Sequence, residues 1–220
     1  MPKNKPADPR KDPNSVTHVQ SCSGTTGTCP SGIPKTCLDA PKTIQLPDQV
    51  NKDFQKLYGD SFPSGKSQEH GGTLVKDDKG NISVVNQGTT GQSGAFEPNR
   101  TVPSGQTIIG TVHTHPYDAS EGGYKGVSFS DADMYYASYH KEATYVDAGD
   151  RQFMIMPTEE SGSPSAKDYE DDWKAAYKKY GTDQGKPPAE ATRLAANEVA
   201  KKHKMAYYEG KDGVLERVSC

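Results

Sequence analysis

Two histidines one residue apart, His113-Thr-His115, followed by Pro116, are the residues best suited to chemistry in this chain. They end the segment Gln106-Thr-Ile-Ile-Gly-Thr-Val-His113, whose β-branched, apolar run reads as a buried strand. Residues two apart on a strand point to the same side, so both imidazoles can converge on one point, as a metal ion requires. Downstream, Ser130-Asp-Ala-Asp133 opens a helix, with Ser130 as its N-cap. A carboxylate at the third helical position can reach past the helix end and complete a triad. Two His and one carboxylate suit Zn2+ and leave a fourth position for water. The metal would lower the pKa of that water from about 15.7 to about 7. A second SxxD, Ser128 to Asp131, overlaps the first. The run Met134, Tyr135, Ala137, Ser138 continues more naturally as the helix of the later pair, so Asp133 is the expected ligand and Asp131 the alternative.

Hydrolysis also needs a base. Glu69 stands beside Gly71-Gly72 just before a strand, where a carboxylate could take the water's proton and pass it to a leaving amine. Ser130 could donate a hydrogen bond to the oxyanion of a tetrahedral intermediate. Each assignment has a plain structural counterpart. The histidines could be hydrogen-bonded strand-end residues, Ser130 and Asp133 only a capping box, and Glu69 a surface carboxylate. His70 would point to the opposite side of the strand from Glu69. The aromatic face Tyr169, Trp173, Tyr177 and Tyr180 reads as core packing.

A Glu before a Gly-containing strand, then a strand ending in HxHP, then SxxD opening a helix resembles the JAMM (JAB/MPN-type) zinc metallopeptidases over about residues 65–157. The resemblance implies that His113, His115 and Asp133 bind zinc, that Glu69 is the general acid/base and that Ser130 helps hold the oxyanion. The run Phe129-Ser130-Asp131-Ala132-Asp133 after an enlarged loop is most similar to the branch found in polymorphic toxins and Rhs-type effectors. The inserted YDASEGGYKGVSF makes the gap between His115 and Ser130 longer than in the best-known members.

The elements that must position these residues follow from the pattern around them. Residues 1–20 are rich in Pro, Lys and Asp and read as a disordered leader. Residues 21–64 hold a cysteine-containing loop and a short amphipathic helix with Val50, Phe54, Leu57 and Tyr58 at helical spacing. Residues 65–160 form the JAMM-like core, with a hairpin of Thr73–Lys76 and Ile82–Val85, a polar loop over 86–106, the HxH strand, a helix from about Asp131 to Lys141, and strands at Ala143–Val146 and Gln152–Met156. Residues 161–220 add two helices, the second opened by Pro188, and a closing hairpin with its turn at Glu209–Gly213. The expected fold class is α/β (α+β), a JAMM-like central mixed sheet flanked by helices with a C-terminal helical and hairpin extension.

A formal net charge of -3 with interspersed signs argues against nucleic acid held by phosphate contacts. No apolar run is long enough to insert in a membrane, and the first residues hold no signal-peptide stretch. Cys22, Cys29, Cys37 and Cys220 allow two disulfides in three connectivities, a zinc knot, or free thiols. Disulfides would imply an oxidising place of action. The functional expectation is a zinc-dependent amide hydrolase, secreted without a signal peptide by type VI or Rhs-like delivery. It would act on the peptide stem of peptidoglycan in the periplasm of a target cell and be paired with a cognate immunity protein. The alternatives are an isopeptidase removing ubiquitin-like proteins, acting in the cytoplasm, a processing protease within a larger protein, and a binding module without activity.

Overall fold

The computed structural model describes residues 33–220. Eight strands form one mixed sheet: β1 (Thr43–Gln45), β2 (His70–Asp77), β3 (Ile82–Thr89), β4 (Gln106–Thr114), β5 (Ala143–Asp147), β6 (Gln152–Met156), β7 (Ala206–Lys211) and β8 (Val214–Ser219). Their order is β1-β8-β7-β6-β5-β4-β2-β3. Four α-helices cover the sheet: α1 (Asp48–Asp60), α2 (Asp131–His140), α3 (Ala166–Tyr177) and α4 (Pro188–Lys202). A π-helical turn at Lys178–Asp183 extends α3. None of the described helices is long and apolar enough to cross a membrane. The mixed α/β class read from the sequence is the one observed.

The central strands are apolar on both faces because both faces are covered. In β5 and β6 every residue is buried. Side chains alternate between two cores, as strand geometry requires. Tyr145, Met154 and Tyr208 join Val50, Phe54 and Leu57 of α1 on one face. Val146, Phe153 and Tyr207 join Met134 of α2, Trp173 of α3 and Val199 of α4 on the other. The Val/Phe/Leu stripe of α1 is what holds it to the sheet. α2 carries Met134, Ala137 and Ser138 inward.

Only β4 and β5 run parallel, and α2 makes the crossover between them. A crossover of this kind brings the end of the first strand and the start of the helix to the same edge of the sheet, where crevices form in α/β folds. That edge carries both His113-Thr-His115 and Ser130-Asp-Ala-Asp133.

Several boundaries differ from the sequence reading. The first hairpin starts at His70 and runs to Thr89, longer than Thr73–Lys76 and Ile82–Val85. Gly71 and Gly72 lowered the apparent strand tendency, but their neighbours leave no room for side chains there, β4 and Phe96 at Gly71 and Val84 of β3 at Gly72. A Cβ on Gly71 would lie 2.4 Å from the Val112 carbonyl oxygen and 2.5 Å from the Phe96 ring. Gly71→Ala is therefore expected to destabilise the protein by about 1–3 kcal/mol through overpacking, read as a lower denaturant midpoint. An unchanged midpoint would show that the β2–β4 spacing is loose. β1 was not anticipated, since three residues carry too short a pattern. It exists because β8 offers an edge, with Ile44 paired to Leu215. The closing turn is tighter than Glu209–Gly213. Asp212 and Gly213 both have positive φ, 53° and 82°, which suits a two-residue hairpin.

Cys37 and Cys220 form a disulfide with Cα atoms 5.4 Å apart. Cys22 and Cys29 lie outside the described residues, as does the leader. A disulfide belongs to an oxidising environment.

Candidate metal centre

The site is built by three short stretches of chain. The first is the end of β4. Val112 points into the α1-side core, so His113 and His115 point to the opposite face, towards α2 and α3. Thr114 points back with Val112. Its hydroxyl hydrogen-bonds the Ser61 hydroxyl at 2.7 Å and accepts from the His70 amide at 3.0 Å. The residue between the two histidines thus locks the strand end to the end of α1 and the start of β2.

The second stretch is the start of α2. The Ser130 hydroxyl accepts from the Asp133 amide at 3.3 Å and donates to Asp133 Oδ2 at 2.7 Å. The Ser130 amide donates to the same oxygen at 2.7 Å. This capping box holds the Asp133 carboxylate at the helix end and turns Oδ1 outward. The segment before it is pinned as well: Trp173 Nε1 donates to the Phe129 carbonyl at 3.0 Å, and the Ser128 hydroxyl meets the Tyr207 hydroxyl at 2.8 Å.

The outcome is a compact triad. His113 Nε2 lies 3.0 Å from His115 Nε2 and 3.1 Å from Asp133 Oδ1. His115 Nε2 lies 3.5 Å from Asp133 Oδ2. Ligands bonded to one tetrahedral zinc at 2.0–2.1 Å are spaced by roughly 3.3 Å, so the donor set matches in type and spacing. His115 Nδ1 is 3.2 Å from the Val127 carbonyl. That contact puts the ring proton on Nδ1 and leaves the Nε2 lone pair for a metal, the usual outer partner of a ligating histidine. Both histidines are buried, at 7% and 8% exposure, too dry for a charge without a partner. Burial pushes the His115 ring down, but the hydrogen bond and charge of Asp133, with the charge of Glu69, raise it above the ordinary histidine value. Burial likewise opposes the Asp133 carboxylate, yet the two imidazoles, His113 foremost, hold it well below the usual carboxylate range.

No protein family, curated protein or solved structure matches this chain. The site therefore rests on its own geometry.

The third stretch brings Glu69. β2 and β4 pair antiparallel with Gly71 opposite His113. Extending that register by two residues places Glu69 opposite His115, on the same face. Glu69 is 7% exposed and lines a cavity of about 510 Å3 together with His113, His115, Ser130 and Asp133. All five expected site residues thus share one cavity. Asp131 lines it too but does not join the metal-binding group, and Ser128 is engaged with Tyr207 and Thr192. Asp133, not Asp131, is the third member. His70 faces away, as its position next to Glu69 predicts, and contacts the Gln68 carbonyl.

Two clamps shape the cavity, and neither was legible in the sequence. The Gly-rich loop after Pro116 is tied to the Glu69 segment. Asp118 accepts from the Ser67 amide at 3.0 Å, and the Ser67 hydroxyl donates to Glu121. On the other side, Arg100 makes a bidentate pair with Glu142 at 2.7 and 2.8 Å and donates to the Tyr136 hydroxyl. That pair fastens the loop carrying Phe96, which lines the cavity and covers Gly71. Arg100→Met leaves a half-buried carboxylate without its partner and should cost about 1–2 kcal/mol. Amide hydrogen exchange should rise over residues 90–105. Protection equal to that of the unmodified chain would remove the clamp from the account. Tyr117, directly after HTHP, and Trp173 and Tyr177, read as core packing, also line the cavity. Trp173 does both, since it is 3% exposed and belongs to the helical-side core.

Proposed function

We propose that the protein is a zinc-dependent amide hydrolase, and that it acts outside the cytoplasm of the producing cell on bacterial peptidoglycan peptides. The observation that carries the chemistry is the triad of His113, His115 and Asp133 at tetrahedral-edge spacings inside a cavity that also holds Glu69. A bound zinc ion would polarise the scissile carbonyl and acidify water. The rest of the work falls to the chain. His115, oriented by the Val127 carbonyl, and Asp133, oriented by Ser130, hold the donor atoms fixed. Glu69, buried beside His115, takes the proton of the attacking water on its carboxylate and returns it to the leaving amine. The Ser130 hydroxyl donates to Asp133 Oδ2 and must turn from it to reach an oxyanion; its role as positioning residue comes first.

The disulfide favours peptidoglycan over ubiquitin-like conjugates as the substrate, because it belongs to an oxidising compartment. Delivery by a secretion system and protection by an immunity protein follow from that reading. The test is incubation of zinc-loaded protein with purified sacculi and, separately, with ubiquitin chains. New free amines on the stem peptides, read as altered muropeptides after muramidase digestion of the treated sacculi, are the expected result. Cleavage of ubiquitin chains with intact sacculi would replace the substrate. Activity on neither, with about one zinc bound per chain, would leave a metal-binding module.

A further inference from the structure

The cavity does not end at the triad. Beyond Ser130 it continues along α3 to the start of α4, where Asp131, Glu170, Trp173, Lys174 and Tyr177 line it. Trp173 and Tyr177 are stacked, with ring centroids 5.0 Å apart and an angle of 7° between planes. Apart from Asp131 at the start of α2, this part of the wall comes from α3, in the C-terminal third of the chain.

The charges here do not balance. Asp133 and Glu69 face a divalent cation when the triad is filled. Glu170 accepts a hydrogen bond from Lys174. Glu121 is held by the Ser67 hydroxyl and the Asp118 amide. Asp131 is left. Among the described residues its carboxylate has no salt bridge and no hydrogen bond to another side chain; it meets its own backbone amide and feels the charge of Lys174, an ammonium already bonded to Glu170, at the first position of α2 on the cavity wall. A half-buried carboxylate beside an aromatic wall complements one kind of group, a cation on an apolar stem. Two carboxylates, Asp131 and Glu170, stand here against the single Lys174 ammonium, so the wall keeps a net negative charge that repels an anionic side chain and that a neutral one does not offset.

We propose that this outer part of the cavity is the substrate side-chain subsite, and that it takes an alkylammonium group, with the stem against Tyr177 and Trp173 and the ammonium at Asp131. The substrate is then an amide flanked by a lysine-like diamino acid. This rests on the hydrolase reading for its substrate, but the subsite itself binds its ligand with or without hydrolysis.

Trp173 is the only tryptophan in the chain, so tryptophan emission, excited selectively over the twelve tyrosines, reports on this wall. The zinc-loaded chain is titrated with n-pentylammonium and with 1-pentanol at pH 7, where the amine is protonated and offers no lone pair to a metal. Pentylammonium is expected to bind about tenfold more tightly. Asp131→Asn, which keeps the side chain's volume and leaves the Ser130 cap in place, should bring the two within about twofold, and Asp131→Glu should restore the preference. A pair of peptides differing only in lysine or norleucine should show the same tenfold ratio in kcat/KM, lost in Asp131→Asn. Equal binding of the two probes, or a preference that survives Asp131→Asn, overturns the subsite. Hydrolysis of both peptides at equal rates overturns the subsite and leaves the hydrolase reading standing. Selective binding of pentylammonium without hydrolysis of any peptide supports the subsite and sinks the hydrolase reading instead.

Discussion

Glu69→Gln is expected to lower kcat by about 100- to 10,000-fold while one zinc ion per chain stays bound. That range is what a positioned general base contributes. Glutamine keeps the volume and can still hydrogen-bond, so the change removes the proton acceptor and little else. His115→Ala is expected to lose both activity and metal. It removes one of three ligands, so the loss of affinity should exceed the 10- to 100-fold that follows from losing only an outer hydrogen-bond partner. Metal content by elemental analysis, read beside turnover, separates the two roles. If Glu69→Gln lost its zinc, Glu69 would be a ligand and the base would have to be sought elsewhere. If it kept full activity, the carboxylate opposite His115 would be structural. Equal zinc content in His115→Ala and the unmodified chain would place the metal outside this triad.

Breaking the Cys37–Cys220 bond is expected to have the next largest effect. The two cysteines are 183 residues apart, so the crosslink constrains almost the whole described chain when it is unfolded. Removing such a bond costs about 2–5 kcal/mol. For a domain of this size that is a fall of about 4–20 °C in Tm. Cys220→Ser is the better variant, because Cys220 is exposed whereas Cys37 is buried. Differential scanning calorimetry in the presence and absence of reductant checks it, with the variant insensitive to reductant. Arg217 also holds this segment, donating to the carbonyls of Cys37, Leu38 and Ala40. These bonds keep β1 near β8 after reduction, so the loss should appear in stability before it appears in the native fold. The bond lies at the β1–β8 edge, while the triad lies at β4 and α2. Zinc content at 25 °C should therefore be unchanged. A Tm that does not move with reductant would mean that the described pairing does not form in solution.

Much of the fold could be read directly from residue patterns. β6 falls where Gln152–Met156 was expected, α2 starts after Ser130, and α4 starts at Pro188. These elements carry strong local signals: a run of large apolar residues, a capping serine, a proline with its fixed φ. The misses share a cause. β1 exists only because β8 offers an edge, and the first three residues of β2 are strand only because β3 and β4 lie beside them. A helix makes its hydrogen bonds within itself, whereas a strand makes them with a distant segment, so short or glycine-rich strands leave little trace in the local pattern.

The candidate site divides in the same way. Which residues could ligate a metal was determined by the sequence itself. The period of two along a strand puts His113 and His115 on one side, and a capping serine fixes which aspartate stands three residues into the helix. Those are local rules and hold wherever the strand and helix are placed. Tertiary structure alone decided the rest. The parallel β4–β5 crossover delivers the carboxylate of Asp133, which the helix pattern already favoured over Asp131, to both imidazoles. The position of Glu69 came from the β2–β4 register, and the aromatic wall from α3 folding back over α2. Each depends on pairing between residues tens of positions apart, and spacing along the chain carries no record of such distances.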